Sequence, residues 1–478
     1  MLFNSIAFVV FAAIFFSVWP FARRRANTRY LFLVAASFVF YGWWDWRFLF
    51  LIIGSGLLDY FSALGMYRSP RFRKQFLGLS IAGNVGSLLV FKYSGFFAAN
   101  LETVLGWFGW SANLQESLPM FVKMLPVGIS FYTFQSMSYT IDVYRGNLKP
   151  TRNVLHFFSY LAMFPQLVAG PIIRAADLLP QLKVQNPITE QHRWDGLRLI
   201  VHGYFKKMVI ADGLAYGVTR AFADASPAGT SLFWWVTTTA FGIQIYCDFS
   251  GYSDIARGLA KWMGYDFMLN FNHPYVAGSL REFWRRWHIS LSTWFRDFVY
   301  IPLGGSRGSK LRSELNMWIT MLVSGLWHGA AWNFIMFGVV HAFGMTVERL
   351  SKWPKRVASL PGGRVLVSIM LLTLVWVGWV FFRAHSIGQA AFVLGRMFSF
   401  SGSPGQFVHE FGPGALLETG LLIGIAGARE LYFWFGLDRR QLITGRTRTV
   451  VDVLVLAAMI VACVFLRGPG SKFIYFQF

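Results

Sequence analysis

The sequence predicts an all-α, polytopic integral membrane protein with roughly ten to twelve transmembrane or re-entrant helices, and three observations carry that expectation. Of its 478 residues, 55% are hydrophobic and 18% aromatic, more apolar surface than one soluble core buries. Asp, Glu, Lys and Arg make up 14%, where a soluble domain carries about a quarter. The apolar residues gather in runs close to span length, separated by short basic segments. A soluble globule, a disordered chain, a collagen-like repeat and a coiled coil are all excluded on this composition.

The first run, residues 2–22, has no basic residue ahead of it and no small-residue cleavage site before Arg23, so a retained span is expected. It stops at Arg23, Arg24, Arg25 and Arg29, and the next basic cluster is Arg68, Arg71, Arg73 and Lys74. Both clusters face the cytoplasm under the positive-inside rule, which requires residues 30–67 to cross twice. The turn falls at Gly42-Trp43-Trp44-Asp45-Trp46-Arg47, whose three Trp suit the opposite interface, and the N-terminus is then external. A span at 77–97 follows, with a weaker amphipathic stretch after it. Later apolar runs are 154–173, 232–246, 315–327, 332–345, 365–382, 416–435 and 450–466.

Gly and Pro interrupt several runs, at Pro126-Val127-Gly128, Ala169-Gly170-Pro171 and Leu303-Gly304-Gly305. Irregular backbone at membrane depth is tolerated only inside protein or beside a watery cavity, so the middle of the chain should build such a cavity. With no internal repeat and no linker between soluble domains, one membrane domain is expected. It comprises N-terminal helices (1–120), a core (121–350) and C-terminal helices (351–478).

Forty-four Lys and Arg against 22 Asp and Glu leave a formal charge of +22. No nucleic-acid motif or basic tail accompanies it, so membrane topology accounts for most of the excess and attraction of an anionic ligand for the rest. The two cysteines, Cys247 and Cys463, stand far apart in apolar segments, which excludes a disulfide framework and a CxxC pair.

The spacing from Ser279 to Glu282 is that of a capping box, and Pro302 marks a far boundary, which predicts a helix over 280–300. At helical periodicity Phe283, Trp287, Leu291, Trp294 and Phe298 form an apolar stripe. Arg281, Arg285, His288, Ser292 and Arg296 fall on the opposite side. Two readings fit these arginines: an interfacial helix meeting lipid headgroups, or the wall of a cytoplasmic funnel whose guanidinium groups hold phosphates bidentately. The loop Gly304-Gly305-Ser306-Arg307-Gly308-Ser309-Lys310 adds flexible backbone and positive charge, without the order of a P-loop.

In the following apolar segment Asn316, Thr320, Ser324 and His328 recur every fourth residue and form one polar seam. Ser and Thr in such a seam commonly bond the backbone or a neighbouring helix. An ionisable residue at bilayer depth is expensive and normally faces a pathway, which singles out His328. Burial keeps an imidazole neutral and able to accept a proton, so a general base acting on a hydroxyl is expected there. Gly325 and Gly329 are expected to leave room for a substrate. No HExxH, cysteine partner or carboxylate stands at metal-ligand spacing, so no metal site is expected. His341 and His202 read as satisfied packing histidines, and Asp142, Asp248 and Asp254 as partners of arginines that fix helix positions.

Five longer motifs carry a resemblance. They are FQSMSYTIDVYRG at 134–146, MFPQLVAGPIIR at 163–174, YCDFSGYSDIARG at 246–258, EFWRRWHISLSTWFRDFVYIPLGG at 282–305 and LWHGAAWNF at 326–334. With the MLFNS start and the FIYFQF ending at 473–478, they resemble the membrane-bound O-acyltransferases, and within them the alginate O-acetyltransferase branch. The resemblance implies a ring of helices around a thin core, with a cytoplasmic funnel and an opposite opening meeting near His328. It identifies His328 and His288 as the two functional histidines. It implies no permanently bound cofactor, acetyl-CoA as acyl donor from the cytoplasm, and location in the inner membrane. An exported polysaccharide, or a periplasmic SGNH-type acetyltransferase that completes the transfer, would be the acceptor. Arg281, Arg285, Arg286 and Arg296 are then candidates for the donor's phosphates, and Asn316, Thr320, Ser324 and Trp327 for the cavity lining. Alternatives are peptidoglycan or other envelope-glycan acetylation, D-alanyl transfer from a carrier protein, or, in a different class, a polysaccharide or lipid transporter.

Overall fold

The computed structural model describes residues 1–167, 170–223, 229–437, 445–471 and 473–474, with the Arg446 side chain left out. Ala169 of the expected 169–171 break and the last four residues of the FIYFQF motif lie outside them. The described residues form helices and connecting turns, with no strand among them.

Among the described residues four helices are long and apolar enough to cross a bilayer: Trp46–Arg68, Pro70–Trp107, Gly363–Arg383 and Thr447–Phe465. Pro404–Phe411 and Pro413–Trp434, bent by 90° at their break, make a fifth if they form one span. The bend follows from the residues there, since Gly412 has φ +80° and Pro413 opens the second helix. The chain is therefore a multi-pass membrane protein. The turn expected at 42–47 separates the helices Ala26–Gly42 and Leu49–Arg68. Among its described residues the 154–173 run forms two short helices, Val154–Leu161 and Phe164–Leu167, each far below the length a span needs.

The chain divides into two compact units. The first comprises 1–200 and 253–268. Its polar centre is Asp59, fully buried, which accepts from Ser80 Oγ at 2.6 Å, from Asn84 Nδ2 at 2.9 and 2.8 Å, and from Ser136 Oγ. These donors come from two helices, Arg73–Leu88 and Ile129–Arg145, while Asp59 stands on a third, Leu49–Arg68, so one satisfied carboxylate fixes the register of all three. Arg29 of the first basic cluster is held by the fold. It is buried, and its guanidinium donates to the carbonyls of Arg23, Leu182 and Lys183 at 2.9–3.1 Å.

The second unit comprises 201–252 and 269–478. Here Lys207 Nζ bridges Asp212 and Asp248, each at 2.8 Å, in place of the arginine partner expected for Asp248. The same carboxylates hold the C-terminal segment: Ser471 Oγ donates to Asp212 at 2.6 Å and the Ile474 N–H to Asp248 at 2.8 Å. The helices Lys310–His328 and Trp332–Ser351 pack backbone to backbone. A Cβ on Gly325 would run into the Phe334 carbonyl, and one on Gly338 would come within 2.6 Å of the Met321 carbonyl. The space at Gly325 thus goes to helix packing rather than to substrate, and that at Gly329 is filled by the Phe334 ring.

Candidate active site

The helix expected over 280–300 starts as predicted, with Ser279 Oγ accepting the Glu282 N–H at 3.1 Å, but it breaks in the middle. Leu280–Arg286 ends at Trp287, and Ile289–Phe295 restarts after His288, whose φ is +41° and ψ +56°. A left-handed non-glycine residue costs about 1–2 kcal/mol and persists where the surroundings over-determine it. Those surroundings are the segment before Pro274. The Asn272 N–H donates to the Arg286 carbonyl at 2.9 Å, and the Ile289 N–H to the Asn270 carbonyl at 2.8 Å. His288 consequently leaves the polar stripe and is fully buried. Its Nδ1 lies 3.2 Å from Asn270 Oδ1, and its ring meets Phe249 edge-on at 4.5 Å between centroids. Burial pushes its pKa down to about 3, so this imidazole is neutral at physiological pH.

His328 ends the Lys310–His328 helix and is 3% exposed. Its ring packs edge-on against Phe337 at 5.7 Å and at a steep angle to Phe382 at 5.3 Å. Trp327 neighbours both imidazoles, with its ring centroid 6.1 Å from that of His288 and 5.1 Å from that of His328.

A chamber of about 480 Å³ opens beside these residues in the same unit. One wall is the broken helix, contributing Arg281, Trp284, Arg285, Ser292 and Arg296. The facing wall carries Thr320, Ser324, Met345 and Arg349. Ser324 stands one turn before His328 on the same helix, and the histidine ring itself is not part of this lining.

Of the four arginines expected to meet phosphates, three share the chamber and one does not. Arg286 is tied to Glu282 at 2.7 Å and donates to the Asn272 carbonyl at 3.1 Å. The lining expected of Asn316 and Trp327 is also corrected for this chamber. Asn316 Nδ2 donates to the Gly305 carbonyl at 3.0 Å, and so holds the loop that follows the broken helix, while Trp327 is buried beside the histidines. Thr320 lines the chamber and still donates to the Asn316 carbonyl at 2.6 Å.

Two features escaped the sequence reading. Asn270 is recognisable only through its contact with His288, since nothing in its local spacing suggests it. Arg349, by contrast, continues a period of four from His341 and Met345, the same signal that revealed the seam on the preceding helix. Arg349 pairs with Glu314 at 3.0 Å and donates to Ser313 Oγ at 3.1 Å. His341 packs as expected against Phe337 and Trp284, at 4.6 and 5.0 Å, but neither ring nitrogen has a hydrogen-bond partner among the described residues. No group of three His, Cys, Asp or Glu side chains among them is placed to hold a metal.

The profile of the MBOAT, membrane-bound O-acyltransferase family, matches residues 148–353, which contain both histidines and the chamber. A Pseudomonas putida protein named probable alginate O-acetylase AlgI is 39% identical over 409 residues, covering 84% of this chain and 81% of the relative. The peptidoglycan O-acetyltransferase of Helicobacter pylori is 34% identical over 400 residues, covering 78% and 74%. The teichoic acid D-alanyltransferase of Bacillus subtilis is 26% identical over 329 residues, covering 61% and 82%. On this similarity the chain is an O-acyltransferase, and it belongs to the membrane-bound O-acyltransferase family.

Proposed function

We propose that this O-acyltransferase takes acetyl from cytoplasmic acetyl-CoA and passes it across the inner membrane for O-acetylation of an exported, alginate-like polysaccharide. The observation that carries the reading is the presence of three elements in one unit: an arginine-walled chamber, His328 one turn beyond its Ser324, and His288 against the same Trp327 that His328 meets. Arg281, Arg285 and Arg296 suit the phosphates of the nucleotide end, because guanidinium groups bind phosphate through paired N–H donors. Trp284 and Met345 offer apolar surface to the thin pantetheine arm.

The reaction proceeds by attack of an acceptor hydroxyl on the thioester carbonyl carbon. His328 takes the hydroxyl proton as the new C–O bond forms, the tetrahedral intermediate collapses, and the C–S bond breaks. The thiolate leaves and recovers that proton, so the products are the acetyl ester and the free CoA thiol. His288, neutral and held by Asn270, positions the thioester or shares the proton transfer. The acceptor is the polysaccharide itself or a periplasmic SGNH-type acetyltransferase that completes the transfer. The relatives' names favour a glycan over a transported solute, since two of the three denote O-acetyl transfer.

Purified protein in proteoliposomes, given acetyl-CoA labelled in the acetyl group, should release thiol and pass label to an acceptor on the opposite side. His328→Ala, inserted and folded, should do neither. Retained thiol release in that variant would remove His328 from the chemistry, and label crossing without thiol release would turn the reading toward transport.

A further inference from the structure

A second and larger cleft, of about 720 Å³, lies in the first unit. It is built where the helix Ile6–Ala22 ends, where Glu190–Tyr204 begins, and where Ser231–Met263 ends. Three indoles, Trp19, Trp194 and Trp262, line it with Phe16 and Leu197, while Arg23, Arg193 and Glu190 stand among its polar residues. None of these residues takes part in the acyl-transfer reading.

The apolar wall is prebuilt. The Trp19 indole N–H donates to the Met263 carbonyl at 3.2 Å, and the Trp262 indole N–H to the Arg193 carbonyl at 2.9 Å. With these polar edges already satisfied by protein, the rings contribute apolar surface to the cleft. Phe16 meets Trp262 edge-on at 5.6 Å between centroids. Trp262 fits over the neighbouring helix only because residue 196 is glycine, since a Cβ there would run into the indole ring. Arg23 is steadied by a hydrogen bond to the Asn186 carbonyl, and the Arg193 side chain is exposed.

Location and charge define the occupant. Ile14, Val18 and Phe21 of the first helix are 62%, 40% and 66% exposed, an apolar face suited only to hydrocarbon. That face ends at Arg23, Arg24 and Arg25, where the positive-inside rule sets the cytoplasmic headgroup layer. The cleft therefore lies at the depth where acyl chains give way to phosphates. Two guanidinium groups against one carboxylate give it a net positive charge, complementary to a lipid with one negative charge. A carboxylate beside the phosphate site accepts hydrogen bonds, so it suits a headgroup bearing hydroxyls.

We propose that this cleft binds a phosphatidylglycerol-type phospholipid of the bilayer. Its phosphate sits between Arg23 and Arg193, its headgroup hydroxyls donate to Glu190, and a chain runs along Trp194, Trp262 and Phe16. The site is independent of the acyl-transfer chemistry and holds a lipid as a structural ligand rather than a substrate.

Quenching of intrinsic fluorescence by phospholipids brominated on the acyl chain tests this with the full-length protein in detergent. Brominated phosphatidylglycerol should quench at lower mole fraction than brominated phosphatidylcholine, and Trp194→Phe should remove part of that quenching. Arg193→Gln should weaken the phosphatidylglycerol effect by about five- to tenfold and leave phosphatidylcholine unchanged, as loss of one cation near an anionic headgroup requires. Equal quenching by the two lipids, an unaltered preference in Arg193→Gln, or full displacement by inorganic phosphate would each overturn the proposal. The last result would identify a free-phosphate site.

Discussion

Asn270 Oδ1 lies 3.2 Å from His288 Nδ1 and accepts both the backbone N–H and the hydroxyl of Ser290, at 3.2 and 2.9 Å. An oxygen that takes the Ser290 N–H is fixed as an acceptor, so the facing imidazole nitrogen must be the donor. His288 is thereby set in the Nδ1–H tautomer, with the lone pair on Nε2. A carboxamide does this without charging the ring.

Asn270→Asp keeps the acceptor and adds a negative charge, which favours the imidazolium and raises the His288 pKa from about 3. A neutral His288 is lost as pH falls through its pKa, so the acid limb of thiol release should move to higher pH in the variant. In the wild type His288 should leave no inflection near its ordinary value of about 6.5. Superimposable pH profiles for wild type and Asn270→Asp would show that Asn270 does not control this ring.

Trp327 is buried and packs against both imidazoles. Trp327→Phe retains an aromatic plate and should fold with reduced turnover. Trp327→Ala should lower stability by about 3–5 kcal/mol and lose turnover as well. Thermal unfolding and thiol release on the same samples check the pair. Wild-type turnover in folded Trp327→Ala would mean that the imidazoles do not depend on this indole.

The arginines predict a split between binding and turnover. Arg281→Gln and Arg285→Gln each remove a cation from the chamber and should raise KM for acetyl-CoA about tenfold or more with kcat nearly unchanged. Arg286→Gln should leave KM unaltered, because its guanidinium is engaged by Glu282 and the Asn272 carbonyl. A larger KM effect at Arg286 than at its two neighbours would contradict the chamber as the donor site.

What the sequence disclosed here, and what it concealed, divides along the range of the interactions. The cap at Ser279, the seam ending at His328 and the turn among the three Trp are local patterns, and all are present. The break at His288 is not local. Residues 280–300 satisfy helical periodicity throughout, and the left-handed residue is held by hydrogen bonds with Asn270 and Asn272, which lie outside that stretch. On the sequence Arg286 groups with Arg285 as a candidate for the donor's phosphates, whereas its partners Glu282 and Asn272 turn it elsewhere. The spare volume at Gly325 could not be assigned from its own helix, because the Phe334 carbonyl that uses it belongs to the next one.

The Lys207 cluster yields the last prediction. Lys207 and both of its carboxylate partners are almost wholly buried, and Asp212 and Asp248 in turn hold the Ser471 hydroxyl and the Ile474 N–H. Phe473, between those two anchors in sequence, packs on Phe249 at 5.6 Å, and Phe249 packs on His288. Lys207→Met leaves two carboxylates buried without their cation, a change that costs about 3–5 kcal/mol. Ser471→Ala removes one hydrogen bond to a charged acceptor, which costs about 1.5–3 kcal/mol. Protease cleavage of the C-terminal segment should therefore be fastest in Lys207→Met, intermediate in Ser471→Ala and slowest in the wild type. Turnover should fall in the same order, because releasing Phe473 loosens the wall behind His288. A Lys207→Met protein with wild-type melting temperature and protease resistance would show that the ion cluster does not secure this segment.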